Sequence, residues 1–248
     1  MSFVVIIPAR WASSRLPGKM LADLAGKPLI VRTAERAAKS KATQVVVATD
    51  HHDIAKALAE HGVSYVMTDE DLPSGTDRLA QAARWLGLDD QTVVVNVQGD
   101  EPLIDPALID ALADCSQNNP DAAIATAATA LHRLEDHDNP NIVKVVCDPS
   151  GRALYFSRAP IPYQREQVPG LVPLQHIGIY AYRVNFLHAF PELTQGLLER
   201  AEMLEQLRAL EHGFKIQVLV STAAHLPGVD TAEDLEAARQ ALEDSVKG

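Results

Sequence analysis

Cysteine is scarce in this chain, which has only Cys115 and Cys147 among 248 residues. The two lie far apart in the sequence, each within an apolar or amphipathic segment, so we expect reduced thiols that pack as small core residues. A disulfide framework is therefore excluded as the source of stability. A cysteine-rich metal site is excluded as well, because two thiols are too few to build one.

Basic residues are outnumbered, with 22 lysines and arginines against 33 aspartates and glutamates, and the formal net charge is -11. A nucleic-acid binder needs an extended basic surface to match the phosphate backbone, so this charge argues against one. Isolated nucleotides remain possible ligands, because a short basic loop is enough to bind their phosphates.

Long apolar runs are also missing. No stretch approaches the roughly 18 apolar residues of a membrane-spanning helix, and the N-terminus lacks a basic region followed by a sustained apolar stretch. We therefore expect no membrane insertion, no secretion and a cytoplasmic protein. Because 47% of the residues are hydrophobic, the chain can bury one substantial core, and we expect a single domain over residues 1–248.

The chain does contain a repeated alternation of short apolar runs with amphipathic stretches. The β-rich runs are Phe3 to Ile7, Val45 to Ala48, Val63 to Met67, Thr92 to Val97, Ile124 to Ala128 and Ile142 to Cys147. Pro28 and Pro106 are placed to open helices that reach Lys39 and Asn118. This alternation predicts an α/β fold in which helices flank a predominantly parallel, doubly wound sheet.

The alternation of apolar runs with amphipathic stretches ends after Asp148. Residues 153–156 and 176–183 have the composition of strands, and a proline-rich stretch over 160–173 joins them. We expect these strands to form a small β-containing extension, at about 150–190, that leaves the main sheet. One helix over 197–211, a strand over 215–220 and a last helix capped by Asp230 or Thr231 complete the prediction.

The first apolar run ends abruptly at a loop that holds Arg10, Arg15 and Lys19. Ligands of open α/β sheets lie beyond the carboxyl ends of the strands, so these cations are placed where a triphosphate would bind. Gly18 permits a positive φ or a close approach of the backbone to a ligand. The alternative is a solvated basic loop with a Pro-Gly turn, since the loop matches neither the Walker pattern nor the dinucleotide fingerprint.

A second strand, Val93 to Val97, delivers Asp100 to the same edge of the sheet. Mg²⁺ prefers hard oxygen ligands and is commonly held by one or two carboxylates together with substrate phosphates, so Asp100 is a candidate magnesium ligand. The alternative is that Asp100 only hydrogen-bonds its own backbone in the turn before Pro106.

Asp230 is the candidate for a second metal-binding carboxylate, because both the attacking and the leaving oxygen of a phosphoryl transfer gain from metal contact. It follows the strand over 215–220 through a short connection. It also precedes Thr231 and Asp234, which form a plausible capping box, so the alternative is a plain helix N-cap.

Several segments together resemble the sugar-activating nucleotidyltransferases, and within them the 3-deoxy-manno-octulosonate (KDO) cytidylyltransferases. The matching segments are Arg10 to Lys19 (RWASSRLPGK), Ser74 to Arg78 (SGTDR), Asn96 to Pro102 (NVQGDEP), Tyr155 to Arg158 (YFSR), His176 to Tyr180 (HIGIY), Glu202 to Arg208 (EMLEQLR) and Gly228 to Thr231 (GVDT). They occur in the family's order and span nearly the whole chain. The resemblance implies a Rossmann-like nucleotidyltransferase fold.

The resemblance also implies how the nucleotide is bound. Ser74 and Gly75 would lie against the cytosine ring, and backbone groups of Pro8, Ala9 and Arg10 would read its polar edge. Arg78 is also assigned to the nucleotide site. Arg15 and Lys19 would stabilise the leaving pyrophosphate, and Asp100 and Asp230 would bind magnesium.

For the acidic sugar the resemblance implies one cation, three neutral hydrogen-bonding partners and two further contacts to hydroxyl groups. Arg158 would bind the carboxylate, and the remaining contacts would come from Gln98, His176, Tyr180, Glu202 and Gln206. The chain departs from the family at Gln175, where relatives have a basic residue, and in its short loop over 162–174.

The function implied is a magnesium-dependent transfer of CMP from CTP to KDO, which gives CMP-KDO and pyrophosphate and activates KDO for lipopolysaccharide biosynthesis. Alternatives are a cytidylyltransferase for another acidic sugar, such as a sialic acid or an amino-substituted KDO, and a non-catalytic CTP-binding protein. The expected partners are CTP, KDO and a second copy of the chain in a homodimer.

Overall fold

The computed structural model describes residues 2–11, 16–166, 168–222 and 228–247. The strands are β1 (Phe3–Ala9), β2 (Asp23–Leu24), β3 (Lys27–Pro28), β4 (Gln44–Thr49), β5 (Tyr65–Met67), β6 (Val93–Asn96), β7 (Ile124–Ala130), β8 (Lys144–Cys147), β9 (Ala153–Ser157), β10 (Leu174–Arg183) and β11 (Ile216–Ser221). The helices are α1 (Leu29–Ala37), α2 (His52–Glu60), α3 (Gly75–Trp85), α4 (Pro106–Asn118), α5 (Leu134–Asp138), α6 (Val184–Ala189), α7 (Leu197–Glu202), α8 (Gln206–Glu211) and α9 (Ala232–Lys247). Within the described ranges, no helix is both long and apolar enough to cross a bilayer.

The main sheet has nine strands, in the order β11-β7-β10-β6-β1-β4-β5 with β8 and β9 attached beside β10. Strands β6, β1, β4 and β5 run parallel to one another. All seven residues of β1 are buried, and its side chains divide between two apolar clusters, one with α1 and α4 and one with α3. The predicted α/β fold with a predominantly parallel, doubly wound core is confirmed, because both faces of these strands are covered by helices.

One expectation is wrong: the strand over 176–183 does not leave the main sheet. It forms most of β10, which lies between β6 and β7 and runs antiparallel to both. The physical reason is that β10 is apolar on both faces, with Ile177, Ile179 and Ala181 in one cluster and Tyr182 in the other. A strand of that kind gains most from a central position. Only the antiparallel pair β8 and β9 adds a hairpin at the end of β10.

The single helix expected over 197–211 is also wrong, because two short helices occupy that segment. Helix α7 ends at Glu202 and is followed by its C-cap Met203, whose φ of 53° lies in the left-handed region. Helix α8 begins at Gln206. Residues 203–205 of the resemblance motif lie in the turn between the two helices. The break therefore changes which of these side chains can face a ligand.

Other local predictions are confirmed. Helix α4 runs from Pro106 to Asn118, and Gly18 has a φ of 68°. The capping box at α9 is present, because Asp234 N donates to Thr231 Oγ1 at 3.1 Å and Thr231 N donates to Asp234 Oδ2 at 2.9 Å. Both cysteines are free thiols.

Candidate active site

A cavity of about 370 Å³ lies beyond the carboxyl ends of β1 and β6. This is where ligands of parallel α/β sheets bind. Its walls come from the loop after β1, the start of α3, the turn after β6, strand β10 and the break between α7 and α8. The lining residues are Pro8, Arg10, Lys19, Met20, Gly75, Thr76, Asn96, Gln98, Gly99, Asp100, Ile124, Tyr180, Tyr182, Phe190, Met203, Leu204, Glu205 and Gln206.

One end of the cavity carries a compact ion-pair cluster around Lys19. Its Nζ donates to Asp100 Oδ2 at 2.6 Å, to Asp230 Oδ1 at 3.0 Å and to Val229 O at 3.2 Å. Burial alone would lower the pKa of Lys19, but the attraction of both carboxylates outweighs it, and the pKa is raised. Lys19 therefore stays charged at neutral pH and holds the two acids close to each other.

The backbone explains why three distant segments meet at this point. Val229 N donates to Asp100 O at 2.8 Å, which ties the connection before α9 to the turn after β6. Gly228 permits this approach, since a Cβ there would lie 3.3 Å from Asp100 O. The sequence predicted that Asp100 and Asp230 would share one edge of the sheet, and the structure brings them together on one ammonium.

The two carboxylates fit a magnesium ion by the chemistry of their donors. They supply hard oxygen ligands that already converge on a single cation. In the ranges that the structure covers, no cluster of three or more histidine, cysteine, aspartate or glutamate side chains is arranged to hold a metal. Two carboxylates nevertheless suffice for Mg²⁺ when substrate phosphates and water complete its coordination.

The residues assigned to the nucleotide differ in their access to the cavity. Pro8, Arg10 and Gly75 line it, whereas Ala9 is fully buried in β1. Ser74 is the N-cap of α3, where its Oγ accepts from Asp77 N at 3.2 Å and donates to Asp77 Oδ2 at 2.6 Å. Its side chain is therefore engaged within the helix start, next to the half-buried Gly75. Arg15 lies outside the described residues.

Arg78 does not line the cavity. It is fully buried, and its Nη2 donates to Asp50 Oδ2 at 2.7 Å while Nη1 donates to Thr68 Oγ1. The other oxygen of Asp50 accepts from Trp11 N at 3.2 Å, and the Trp11 ring stacks on His51 with centroids 3.9 Å apart. Arg78 thus anchors the first residues of the basic loop through Asp50. Sequence reasoning missed Asp50, although it directly follows β4 at the same edge of the sheet.

The other end of the cavity carries neutral hydrogen-bonding groups. Of the residues assigned to the sugar, Gln98, Tyr180 and Gln206 line this end. Tyr180 OH donates to Gln206 Oε1 at 3.3 Å. Burial raises the pKa of Tyr180 well above its ordinary value, so its hydroxyl stays protonated and can act as a donor.

His176 also lies beneath this end but does not reach the cavity. Its Nε2 is 2.9 Å from Thr126 Oγ1, and its ring packs against Phe156 and Tyr180 with centroids 5.0 and 5.4 Å away. Burial lowers the pKa of His176 to about 3. The imidazole is therefore neutral at physiological pH and offers no positive charge to an acidic sugar.

Arg158 and Glu202 contact each other, away from the cavity lining. Arg158 N donates to Glu202 Oε2 at 2.8 Å, and Arg158 Nε donates to Glu202 O at 2.7 Å. Ser157 Oγ donates to Glu202 Oε1 at 2.5 Å. In this arrangement the pair joins the β8–β9 hairpin to the end of α7.

Sequence reasoning missed several cavity residues, chiefly Asn96, Thr76, Tyr182 and Glu205. Signals for them existed. Asn96 interrupts an otherwise valine-rich strand two residues before Gln98, and side chains two apart share one face of a strand. Thr76 and Glu205 fall inside segments that carry the resemblance.

Comparison with known proteins agrees with this geometry. A family model described as cytidylyltransferase matches residues 4–216. The 3-deoxy-manno-octulosonate cytidylyltransferase of Leptothrix cholodnii is 54% identical over 247 residues, which cover 97% of this chain and 91% of that protein. A CMP:2-keto-3-deoxy-manno-octonic acid synthetase, solved in complex with CTP, superposes with a TM-score of 0.93 at 39% identity and covers 99% of this chain and 100% of its own.

A cytidylyltransferase from Leptospira borgpetersenii superposes with a TM-score of 0.64 at 21% identity, covering 98% of this chain and 88% of its own, and shares the fold. The fold and its cavity define the class as α/β proteins that bind their ligands beyond the carboxyl ends of the strands. The chain belongs to the cytidylyltransferase family, which confirms the resemblance seen in the sequence.

Proposed function

We propose that this protein transfers CMP from CTP to KDO and releases pyrophosphate. The main support is the 54% identity, across almost the whole chain, to a 3-deoxy-manno-octulosonate cytidylyltransferase. The cavity agrees with two unlike substrates, because a charged cluster stands at one end and neutral donors and acceptors at the other. The use of CTP supports a cytoplasmic place of action.

The reaction forms one bond and breaks one. The anomeric hydroxyl oxygen of KDO bonds to the α-phosphorus of CTP, the bond from that phosphorus to the β-phosphate bridging oxygen breaks, and the hydroxyl proton is lost. No covalent intermediate on the protein is needed, so the chain acts by placing the two substrates and by stabilising charge. Arg10 and the backbone at Gly75 hold the nucleotide in this proposal, and Gln98, Tyr180 and Gln206 hold the sugar.

Asp100 and Asp230 would hold magnesium. When bound there, the ion supplies positive charge that polarises the α-phosphate and acidifies the attacking hydroxyl. We propose that Lys19 then turns from the carboxylates toward phosphate oxygens of the leaving pyrophosphate, with Arg15 beside it. This exchange is supported by the position of Lys19 Nζ, which stands between the two carboxylates that the ion would bind.

Arg158 is proposed as the partner of the sugar carboxylate, with Glu202 as the residue that fixes its position. The contacts from Glu202 to the Arg158 backbone and Nε support the second role. His176 is neutral and buried, so we propose that it supports Tyr180 by packing.

A pyrophosphate-release assay tests the activity. Purified protein is incubated with CTP, Mg²⁺ and pyrophosphatase, and phosphate is measured with KDO, a sialic acid, an amino-substituted KDO or no sugar. We expect release with KDO at the highest kcat/KM and none without sugar. A higher kcat/KM for another acidic sugar would reassign the acceptor, and no release with any sugar would refute catalysis.

We propose that the protein is a homodimer joined through the β8–β9 hairpin and the loop that follows it. Apolar side chains are exposed there, with Leu154 at 62% and Tyr163 at 85%. A surface of this kind gains by packing on a second copy, and two-fold pairing is the commonest oligomer symmetry.

Sedimentation at micromolar concentration tests the dimer. We expect about twice the chain mass of 26.9 kDa, and a monomer for Leu154→Glu. Trp85→Gln, which removes an exposed apolar side chain on α3, serves as the control and should leave the dimer intact. A monomeric wild type with full activity would contradict the proposal.

A further inference from the structure

Two side chains on the cavity wall carry a buried polar atom that has no hydrogen-bond partner among the described residues. The atoms are Asn96 Oδ1 and Gln206 Nε2. The residues are only 3% and 5% exposed. Nearly all buried polar atoms in folded proteins are hydrogen-bonded, because leaving one unpaired is costly. An acceptor and a donor left open in one cavity therefore point to a ligand that satisfies them.

Asn96 stands at a position where the sequence favours an apolar residue. It is the last residue of β6, after three valines, and it pairs with Ile6 on one side and Tyr180 on the other. A β-branched apolar residue would suit this central strand better. An amide buried at this position lowers the stability of the fold unless its polar atoms form hydrogen bonds.

Asn96, Thr76 and Tyr182 line the same cavity, and the Tyr182 hydroxyl lies close to the other two side chains. Thr76 Oγ1 in turn donates to Glu205 Oε2 at 2.8 Å. Asn96 Oδ1 is therefore an acceptor in the cavity wall that has no partner among the described residues.

An amide oxygen selects its ligand by charge and by hydrogen-bonding type. It accepts from hydroxyl or amino groups and repels phosphate and carboxylate oxygens, which are acceptors themselves. The cavity residues beside Asn96 are Gln98, two positions along the chain, and Tyr180, its cross-strand partner. Both are proposed sugar contacts, so the surroundings favour a sugar hydroxyl over the cytosine amino group.

We propose that Asn96 determines acceptor specificity, because its Oδ1 accepts a hydrogen bond from one hydroxyl group of KDO. Gln206 Nε2 donates to an oxygen of the same sugar. This inference rests on the proposed KDO cytidylyltransferase activity. It adds a residue that touches the sugar and a chemical rule for acceptors: a sugar that lacks this hydroxyl leaves Asn96 Oδ1 buried without a partner.

Steady-state kinetics of Asn96→Leu and Asn96→Ala test the proposal. Leucine has nearly the size of asparagine and excludes water, so we expect the KM for KDO to rise by about tenfold or more, the scale of an unpaired buried hydroxyl. Alanine leaves room for a water that can accept the hydrogen bond, so its KM should rise by only a few-fold. For both variants the KM for CTP should stay within about twofold, because the proposal gives the nucleotide no contact with Asn96.

Gln217→Leu is the matched control. Gln217 is a buried amide on β11, 8% exposed, whose Nε2 donates to Ser150 O at 3.0 Å outside the cavity. Its replacement should lower stability without changing either KM. If Asn96→Leu also changed stability alone, or raised the KM for CTP as much as that for KDO, the proposal would be overturned.

KDO analogues that each lack one hydroxyl provide a second measurement that needs no variant. One analogue should raise the KM of the wild type, and the same analogue should cause no further rise in Asn96→Leu, since the interaction is already lost. Additive losses for every analogue would refute the contact. If the wild type failed to use KDO at all, the proposed function would fail instead, so the two failures are distinguishable.

Discussion

The two ends of the cavity are built in opposite ways. At the phosphate end, charged groups satisfy one another before any substrate binds: Lys19 holds Asp100 and Asp230 within 3.0 Å. At the acceptor end, neutral side chains lie beside the carboxylate of Glu205, and Asn96 and Gln206 each keep a buried atom without a partner in the described part of the chain. At one end a single ammonium pairs with two carboxylates, and at the other end buried amide atoms are left open for hydrogen bonds.

The difference follows from the chemistry that each end must perform. Uncompensated buried charges are far more costly than one unpaired amide atom, so charged groups need partners while the cavity is empty. A neutral buried atom can stay without a hydrogen bond until a ligand binds, at a cost of about 1–3 kcal/mol of stability each. Ligand binding at the charged end therefore exchanges one ion-pair partner for another, whereas ligand binding at the neutral end adds hydrogen bonds.

The largest effect is expected from a substitution at the charged end. Asp100→Asn removes one negative charge with almost no change in volume, and we expect kcat to fall by roughly two or more orders of magnitude while the fold is kept. Asp230→Asn should behave alike. Activity is measured at saturating Mg²⁺ and both substrates, with unfolding curves as the check on the fold.

Asp121→Asn is the control for that change, because Asp121 also pairs with two cations, Arg152 and Lys215, but lies on the surface. Its kcat should be unchanged. A near-normal kcat for Asp100→Asn would contradict the proposal that Asp100 binds magnesium, and with it the contrast between a charged and a neutral end of the cavity.

A second variant asks whether the acceptor end has a cation of its own. Arg158→Ala should raise the KM for KDO by about 10- to 150-fold and leave the KM for CTP nearly unchanged, since a charge-assisted hydrogen bond contributes about 1.5–3 kcal/mol. Arg158 contacts Glu202 and lies off the cavity lining, so this experiment decides whether it reaches the sugar. Equal rises for both substrates would assign it a structural role only.

The smallest expected effect concerns the neutrality of His176. Its pKa is about 3 in the folded protein, against 6.5 for an ordinary histidine, so below pH 6.5 the unfolded chain binds a proton that the folded one does not. Stability should fall as the pH falls, by up to about 1.4 kcal/mol per pH unit from this group.

Urea unfolding at pH 6.5, 5.5 and 4.5, at one protein concentration, measures this slope. The free energy of unfolding of His176→Gln should decrease less steeply with falling pH than that of the wild type. Parallel pH dependences would mean that the folded and unfolded chains take up this proton at the same pH, and that burial does not keep His176 neutral.

The meeting of Lys19, Asp100 and Asp230 could be predicted from the sequence, because the first two come after recognisable strands and the third precedes a helix. Their roles in binding stay predictions. Asp100 comes after the valine-rich β6, and Lys19 follows the loop that ends β1. Sheet geometry then brings strand ends together without further information. Arg78 was placed at the nucleotide because its motif was matched, but tertiary packing pairs it with Asp50 beneath the loop.

The neutral end was predicted less well because it depends on long-range placement. Nothing local to residues 176–183 shows that β10 lies between β6 and β7, which is what brings Tyr180 beside Asn96. The break at Met203 was missed for a related reason. The helical pattern continues across it, and a non-glycine residue in the left-handed region gives no sequence signal.

The most direct test of the division between the two ends is a crossed pair of variants. Arg10→Ala alters the wall at the phosphate end, and Gln206→Leu removes the open donor at the acceptor end. We predict that the first raises the KM for CTP and leaves the KM for KDO within about twofold, and that the second does the reverse. If both variants raised both KM values by similar factors, the two ends of the cavity would not bind CTP and KDO separately.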